Sequence, residues 1–337
     1  MPLFLQIVLQ QCDGDATKIK KVMAGLRAYQ SAARPPRPPA RPEIARIGRV
    51  RALDYGGQGQ PVLFIPSIIN PPYVLDLAKE NSLLRWLSGQ GHRVILLDWG
   101  DPREDGHDLS VAGHVEQLLI PLIAQLGHDV VLAGYCLGGT MALSAAQLLQ
   151  PRGLIMIAAP WNFTGYPDDS REKMGRLWQV EQAVAESLGL FPMEMLQSAF
   201  WQLAPEKTLE KYAAFGAMPP DSPAAHAFIA LEDWANEGPP LTVAAARELL
   251  EDMFEKNAPG EGRWEVAGET IDLLNVRCPV LNVISTTDKI VPAATAPDIG
   301  QKLILEQGHV GMIVGRSAAT RLWLPTSVWL SRLQHSC

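Results

Sequence analysis

The chain has 337 residues, 47% of them apolar, and 29 Lys and Arg against 36 Asp and Glu leave a net charge of −7. That balance excludes nucleic acid as a default partner, because a phosphate backbone is held by clustered positive charge, while the apolar share suffices for a large buried core. Charged residues are only 19%, below the roughly 25% of ordinary soluble chains, which points to a partly apolar surface and a greasy partner or substrate.

The N-terminal stretch MPLFLQIVLQQCDGD is apolar but has neither a basic leader nor a small-residue cleavage site, so it does not read as a signal peptide. No apolar run reaches the roughly 18 residues of a membrane span. Residues 16–33 have helical composition with a basic tilt and stop at PPRPPARPE, 35–43. Prolines at that density remove backbone donors and favour extended structure, so residues 1–43 are expected to be a helix and a stiff arm, with the folded domain beginning after them. Four cysteines, Cys12, Cys136, Cys278 and Cys337, show no CxxC and no paired spacing, which argues against disulfides and a zinc site and for a reducing, cytoplasmic setting.

Short apolar runs then alternate with amphipathic ones: PVLFIPS at 61–67, a helix near 74–89, RVILLDW at 93–99, a helix near 110–126, DVVLAGY at 129–135, a helix at 138–149 and GLIMIAA at 153–159. Continuous Val, Ile and Leu runs suit strands buried on both faces, and their alternation with helices predicts a doubly wound, mostly parallel α/β sheet. From Pro160 to Val276 the pattern breaks into helices and loops rich in Trp, Met and Pro, and it resumes with PVLNVIS at 279–285, KLILE at 302–306 and a terminal helix. The expected organisation is a core of 44–159 and 277–337 carrying a largely helical cap, 160–276, inserted between two late strands over the carboxyl ends of the sheet. Trp161, Phe163, Trp178, Trp201 and Trp234 are expected to form mostly the core of that cap.

GYCLGG, Gly134 to Gly139, stands directly after a buried run and before a helical one. A nucleophile on a sharp strand-to-helix turn needs small residues two positions away on each side, as Gly134 and Gly138 are, and it points at free backbone donors of the following helix. Cys136 is therefore the candidate nucleophile. An orienting acid and a base should follow in that order, each on a loop after a strand. Asp288 in STTDKIVP and His309 in EQGHVGM satisfy both conditions. Candidate oxyanion donors are the amide of Leu137 and that of Ser67 or Ile68 in PSIINPPY, 66–73, where Asn70 is read as a turn cap. His92, His107, His114, His128, His226 and His335 read as turn, helix-face or tail residues, Asp98 as a satisfied structural carboxylate and Cys278 as core filler.

GYCLGG, PSIINPPYVLDLAKENSLLRWLSGQGHRVILLDW, TTDKIVP and GHVGM together resemble the catalytic domain of poly(3-hydroxyalkanoate) synthases, a cysteine-dependent branch of the α/β hydrolases, over residues 60 to 315. The stretch after His309, VGMIVGRSAATRLWLP, departs from the family's usual asparagine-proline continuation. The resemblance implies an α/β-hydrolase fold in which Cys136 accepts an acyl group from a 3-hydroxyacyl-CoA as a thioester, His309 activates the thiol and the incoming hydroxyl, and Asp288 supports His309 or that hydroxyl. It implies a CoA thioester as substrate, with no bound cofactor or metal, a polyester chain as product, and a place at the polyester granule surface. A partner synthase subunit, as in the shorter members, fits it, while the apolar surface and the arm at 1–43 point to a homodimer. A hydrolase on the same scaffold, either an intracellular depolymerase or an acyl-CoA thioesterase, and a non-catalytic granule protein remain as alternatives.

Overall fold

The computed structural model describes residues 2–34, 37–127, 129–197 and 205–334; His128, Trp201, His335 and Cys337, singled out above, lie outside them. The strands are β1 (Glu43–Ile47), β2 (Val50–Gly56), β3 (Gln58–Ile65), β4 (Asp76–Ala78), β5 (Asn81–Ser82), β6 (His92–Asp98), β7 (Val131–Tyr135), β8 (Gly153–Ile157), β9 (Glu265–Val266), β10 (Glu269–Thr270), β11 (Val280–Ser285) and β12 (Gln301–Leu305). Eight of them form one sheet in the order β1-β2-β6-β3-β7-β8-β11-β12. Every residue of β7, β8 and β11 is buried, as continuous apolar runs require when helices cover both faces. Pairing is parallel from β6 through β12, while β1 and β2 form an antiparallel edge that the sequence reading did not foresee. The chain runs from β3 to β6 on one side and returns to β7 on the other, so the order reverses between β3 and β7, where open α/β sheets place their ligand crevice.

Two expected helices differ in form. The stretch near 74–89 is a tight turn (Pro72–Leu75), the β4–β5 hairpin and only then a helix, Leu83–Gly89. The Ser82 hydroxyl caps it by accepting from the Arg85 amide at 3.1 Å, and the Arg85 guanidinium holds Asp76 with bonds of 2.6 and 2.8 Å, which locks the hairpin to the helix. The run Val111–His114, Val115–Leu119 and Ile120–Leu126 is continuous but widens into a π-turn in its middle segment. Pro121 has no N–H to offer the preceding turn, which gives that widening a local cause.

Between β8 and β11 lie the helices Asp168–Leu188, Pro205–Phe215, Pro223–Asn236 and Val243–Arg247 and the small β9–β10 hairpin, and Trp161, Phe163, Trp178 and Trp234 are buried there. The N-terminal region corrects the expectation that folding begins after the proline arm. It contains two helices, Pro2–Cys12 and Ala16–Ser31, whose Phe4, Ile7, Val8, Val22 and Leu26 form a buried cluster with Leu209 and Tyr212 of the helix Pro205–Phe215. Full burial of such a side chain stabilises by about 1.5–3 kcal/mol, which makes these helices part of the packed molecule.

His114 lies inside the core against Arg49, which is 2% exposed and paired with Asp105 at 2.7 Å. Its Nδ1 donates to the Ser110 carbonyl and its Nε2 accepts from the Arg49 guanidinium, both at 2.7 Å, an arrangement open only to the neutral ring. Burial pushes the imidazole down to about 4; the Ser110 bond opposes this and Arg49 adds to it. The unfolded chain therefore takes up a proton near pH 6.5 that the folded chain refuses. The resulting stability is whole above pH 6.5 and falls as pH drops toward 4, by about 3 kcal/mol for this group. Urea unfolding of His114→Gln, whose amide accepts from Arg49 without titrating, should show a shallower acid slope than the wild type, and equal slopes would contradict this account.

Candidate active site

Cys136 follows β7 directly and has φ 57° and ψ −133°, a left-handed conformation that costs a non-glycine residue about 1–3 kcal/mol. The surrounding structure holds it there. Its N–H donates to the Ile157 carbonyl at 2.9 Å, and its own carbonyl accepts from Gly139 N–H at 2.8 Å as the helix Leu137–Leu149 begins. The glycines at 134 and 138 are required by close approach: a Cβ on Gly134 would strike the backbone of Gly138 and Gly139, and one on Gly138 would strike the carbonyls of Ile65 and Pro66. The helix start is thereby pressed against the carboxyl end of β3, beside the loop carrying Ser67 and Ile68.

The loops after β11 and β12 bring Asp288 and His309 to the same end of the sheet. Asp288 Oδ2 accepts from His309 Nδ1 at 2.6 Å, while Oδ1 accepts from the Ile290 and Val291 amides at 2.8 and 3.0 Å. Both side chains are buried. With Nδ1 committed to Asp288, Nε2 is the ring atom left to face the Cys136 sulfur, whose charge acts on the imidazole. Burial alone disfavours a charged imidazole, but the negative sulfur of Cys136 and the Asp288 carboxylate outweigh it and push His309 up to about 10. Half-buried Cys136 thus sits beside the imidazole of His309, which Asp288 holds in place.

The amides of Leu137, Ser67 and Ile68 donate to no other described residue, and the Ser67 hydroxyl accepts from Ile69 N–H at 3.1 Å. All three amides remain open as oxyanion donors. Asn70 bridges to the cap instead of capping its own turn, donating to the Trp234 and Glu237 carbonyls at 3.5 and 3.4 Å, and Trp234 Nε1 donates to the Pro71 carbonyl at 2.8 Å. The segment between β8 and β11 is therefore tied to the loop beside Cys136. Asp98 is ion-paired with Arg51, and Cys278 is half-buried against the core.

Two side chains at the site escaped the sequence reading. Tyr135 stacks on the His309 ring with centroids 4.9 Å apart, and its hydroxyl donates to the His309 carbonyl at 3.2 Å. Its place immediately before Cys136 is the signal that could have found it. Tyr166, at the start of the cap, packs on Phe163 and Phe254. Burial above all, then the charges of Cys136 and Asp288, raises its hydroxyl. No local pattern marks it. Among the described residues no cluster of His, Cys, Asp and Glu is arranged to hold a metal ion, and no helix is long and apolar enough to cross a membrane.

Residues 62–319 match the model of the Alpha/beta hydrolase family. The chain is 28% identical over 306 residues to the poly(3-hydroxyalkanoate) polymerase subunit PhaC of Haloarcula marismortui, covering 85% of this chain and 64% of that protein. It is 27% identical to the PhaC subunit of Allochromatium vinosum over 81% of each chain. It thus spans less than two thirds of the archaeal relative's length and about four fifths of the bacterial one's. Among solved structures, a carboxylesterase of Nitrososphaera gargenis superposes with a TM-score of 0.51 at 14% identity, over 88% of this chain and 100% of that one, which bears on the fold alone.

Proposed function

The chain belongs to the Alpha/beta hydrolase family and is a relative of the poly(3-hydroxyalkanoate) synthases, and from that premise we propose that it transfers 3-hydroxyacyl groups from CoA to a hydroxyl acceptor through a thioester on Cys136. The observation that carries this reading is a cysteine at the strained turn beside a buried, positively held His309. A thiolate is a good nucleophile at neutral pH, and the thioester it forms stays reactive enough for a second transfer.

In the first half-reaction the Cys136 sulfur attacks the thioester carbonyl carbon. The oxyanion is held by the Leu137 amide with that of Ser67 or Ile68, the bond from carbon to the CoA sulfur breaks, and the His309 proton goes to that sulfur. In the second, neutral His309 takes the proton of an incoming hydroxyl, whose oxygen attacks the acyl carbon and expels Cys136 as thiolate. Asp288 keeps the ring in orientation throughout and steadies its positive form. Transfer to a hydroxyl instead of water requires a closed site, and the cap's bonds to the loop at 70–71 support that closure. Work with a partner subunit at a polyester surface is part of the same proposal.

Purified protein incubated with 3-hydroxybutyryl-CoA should release CoA and yield ester oligomers by mass spectrometry. Free 3-hydroxybutyrate alone would make it a thioesterase. Absence of CoA release, with hydrolysis of added polymer, would make it a depolymerase; absence of both would leave a missing partner subunit or a granule protein without turnover.

A further inference from the structure

A cleft of about 1530 Å³ opens between the proline-rich arm, β2, the β4–β5 hairpin and the cap helix Pro223–Asn236. Pro38 and Pro39 of the arm form one wall, and Arg37 anchors them by lying 4.6 Å from the centre of the Tyr73 ring. Four arginines line the cleft, three of them neutralised: Arg34 pairs with Asp233, Arg37 with Glu237 and Arg51 with Asp98. Arg41 alone of the four has no carboxylate partner among the described residues. Its guanidinium carbon stands 4.9 Å from the centre of the Tyr55 ring, and its buried Nε has no acceptor. Lys79 lines the same cleft, also without a carboxylate partner among the described residues, and Glu80 is the one lining carboxylate there that lacks a cation; Glu43 and Asp76 are held by Arg46 and Arg85.

A guanidinium held over an aromatic ring with no carboxylate beside it is prepared for an oxyanion, because the ring contact restrains a group whose fork phosphate accepts in bidentate fashion. One wall of the cleft carries Pro72 and Tyr73 of the Pro72–Leu75 turn, an element that packs against Gly311–Val314, two residues beyond His309, and Asn81, which also lines the cleft, donates from Nδ2 to the Val314 carbonyl at 2.9 Å. We propose that this cleft seats the phosphate-bearing end of the CoA thioester, with Arg41 and Lys79 binding phosphate oxygens and the arm's prolines flanking the less polar linker. This rests on the acyl-CoA reading above and gives the proline arm a role in substrate binding.

Isothermal titration of the full chain with CoA tests it without turnover. The wild type should bind CoA, Arg41→Ala should bind it about tenfold more weakly, equivalent to about 1.4 kcal/mol, and Lys79→Ala about threefold more weakly. Arg41→Lys, which keeps the charge and loses the fork, should fall between wild type and Arg41→Ala. Pantetheine, which carries no phosphate, should bind the wild type and Arg41→Ala alike. The proposal is overturned if the wild type does not bind CoA, if Arg41→Ala binds it as tightly as the wild type, or if pantetheine binding falls in parallel. Inorganic phosphate displacing CoA at the same affinity as CoA itself would reassign the site to free phosphate. A protein that binds CoA through Arg41 yet forms no acyl-Cys136 would sink the functional reading and leave this one standing.

Discussion

Cys136→Ala should lower CoA release from 3-hydroxybutyryl-CoA by about 10⁴-fold or more, since the covalent route loses the atom that carries it. The fold should barely register the change. The side chain is small and half-buried, alanine meets the same backbone strain at φ 57°, and the glycine contacts on either side are untouched, so the melting temperature should stay within about 2 °C. Cys136→Ser supplies a second reading, because a hydroxyl in the same turn does not ionise near neutrality; it should retain no more than about 1% of wild-type turnover. Turnover near the wild-type rate in Cys136→Ala, with the protein folded, would remove Cys136 from the mechanism.

His309→Gln should slow alkylation of Cys136 by iodoacetamide about tenfold or more at pH 7, read at the Cys136 peptide because Cys12 and Cys278 are also free. An unassisted thiol is only a few per cent thiolate at that pH, whereas a neighbouring imidazolium favours the ionised sulfur. The pH profile carries the sign. Burial opposes charge on His309, but Cys136 and Asp288 hold it up to about 10 against an ordinary 6.5, so the imidazolium persists across neutral pH and the wild-type rate should be flat from pH 7 to about 9. In the variant the rate should climb over the same interval, as it does for a free thiol. Identical rates and profiles would show that the two side chains are not coupled. Asp288→Asn should behave as a milder His309→Gln, since the amide still meets Nδ1 but no longer stabilises the ring's positive charge.

The central strands and the turn at Cys136 were legible in the sequence because they are set by short-range physics. A short, β-branched run such as VVLAGY, bounded by turn residues, suits a strand covered on both faces, and glycines at 134 and 138 mark a turn whose close backbone approach excludes any Cβ. The order of Cys136, Asp288 and His309 was legible for a related reason: each follows an apolar run, and parallel strands deliver the loops at their carboxyl ends to one edge. Other features depend on which surfaces meet across more than a hundred residues, which no local pattern encodes. Tertiary packing decides that residues 2–31 dock on Leu209 and Tyr212, that Asn70 bonds to the Trp234 carbonyl, that buried Tyr166 feels the charges of Cys136 and Asp288, and that Arg41 lies over Tyr55 with no carboxylate beside it. Backbone sterics and hydrophobic period act within a few residues, whereas burial, charge pairing and pKa are properties of neighbours that only the folded chain supplies.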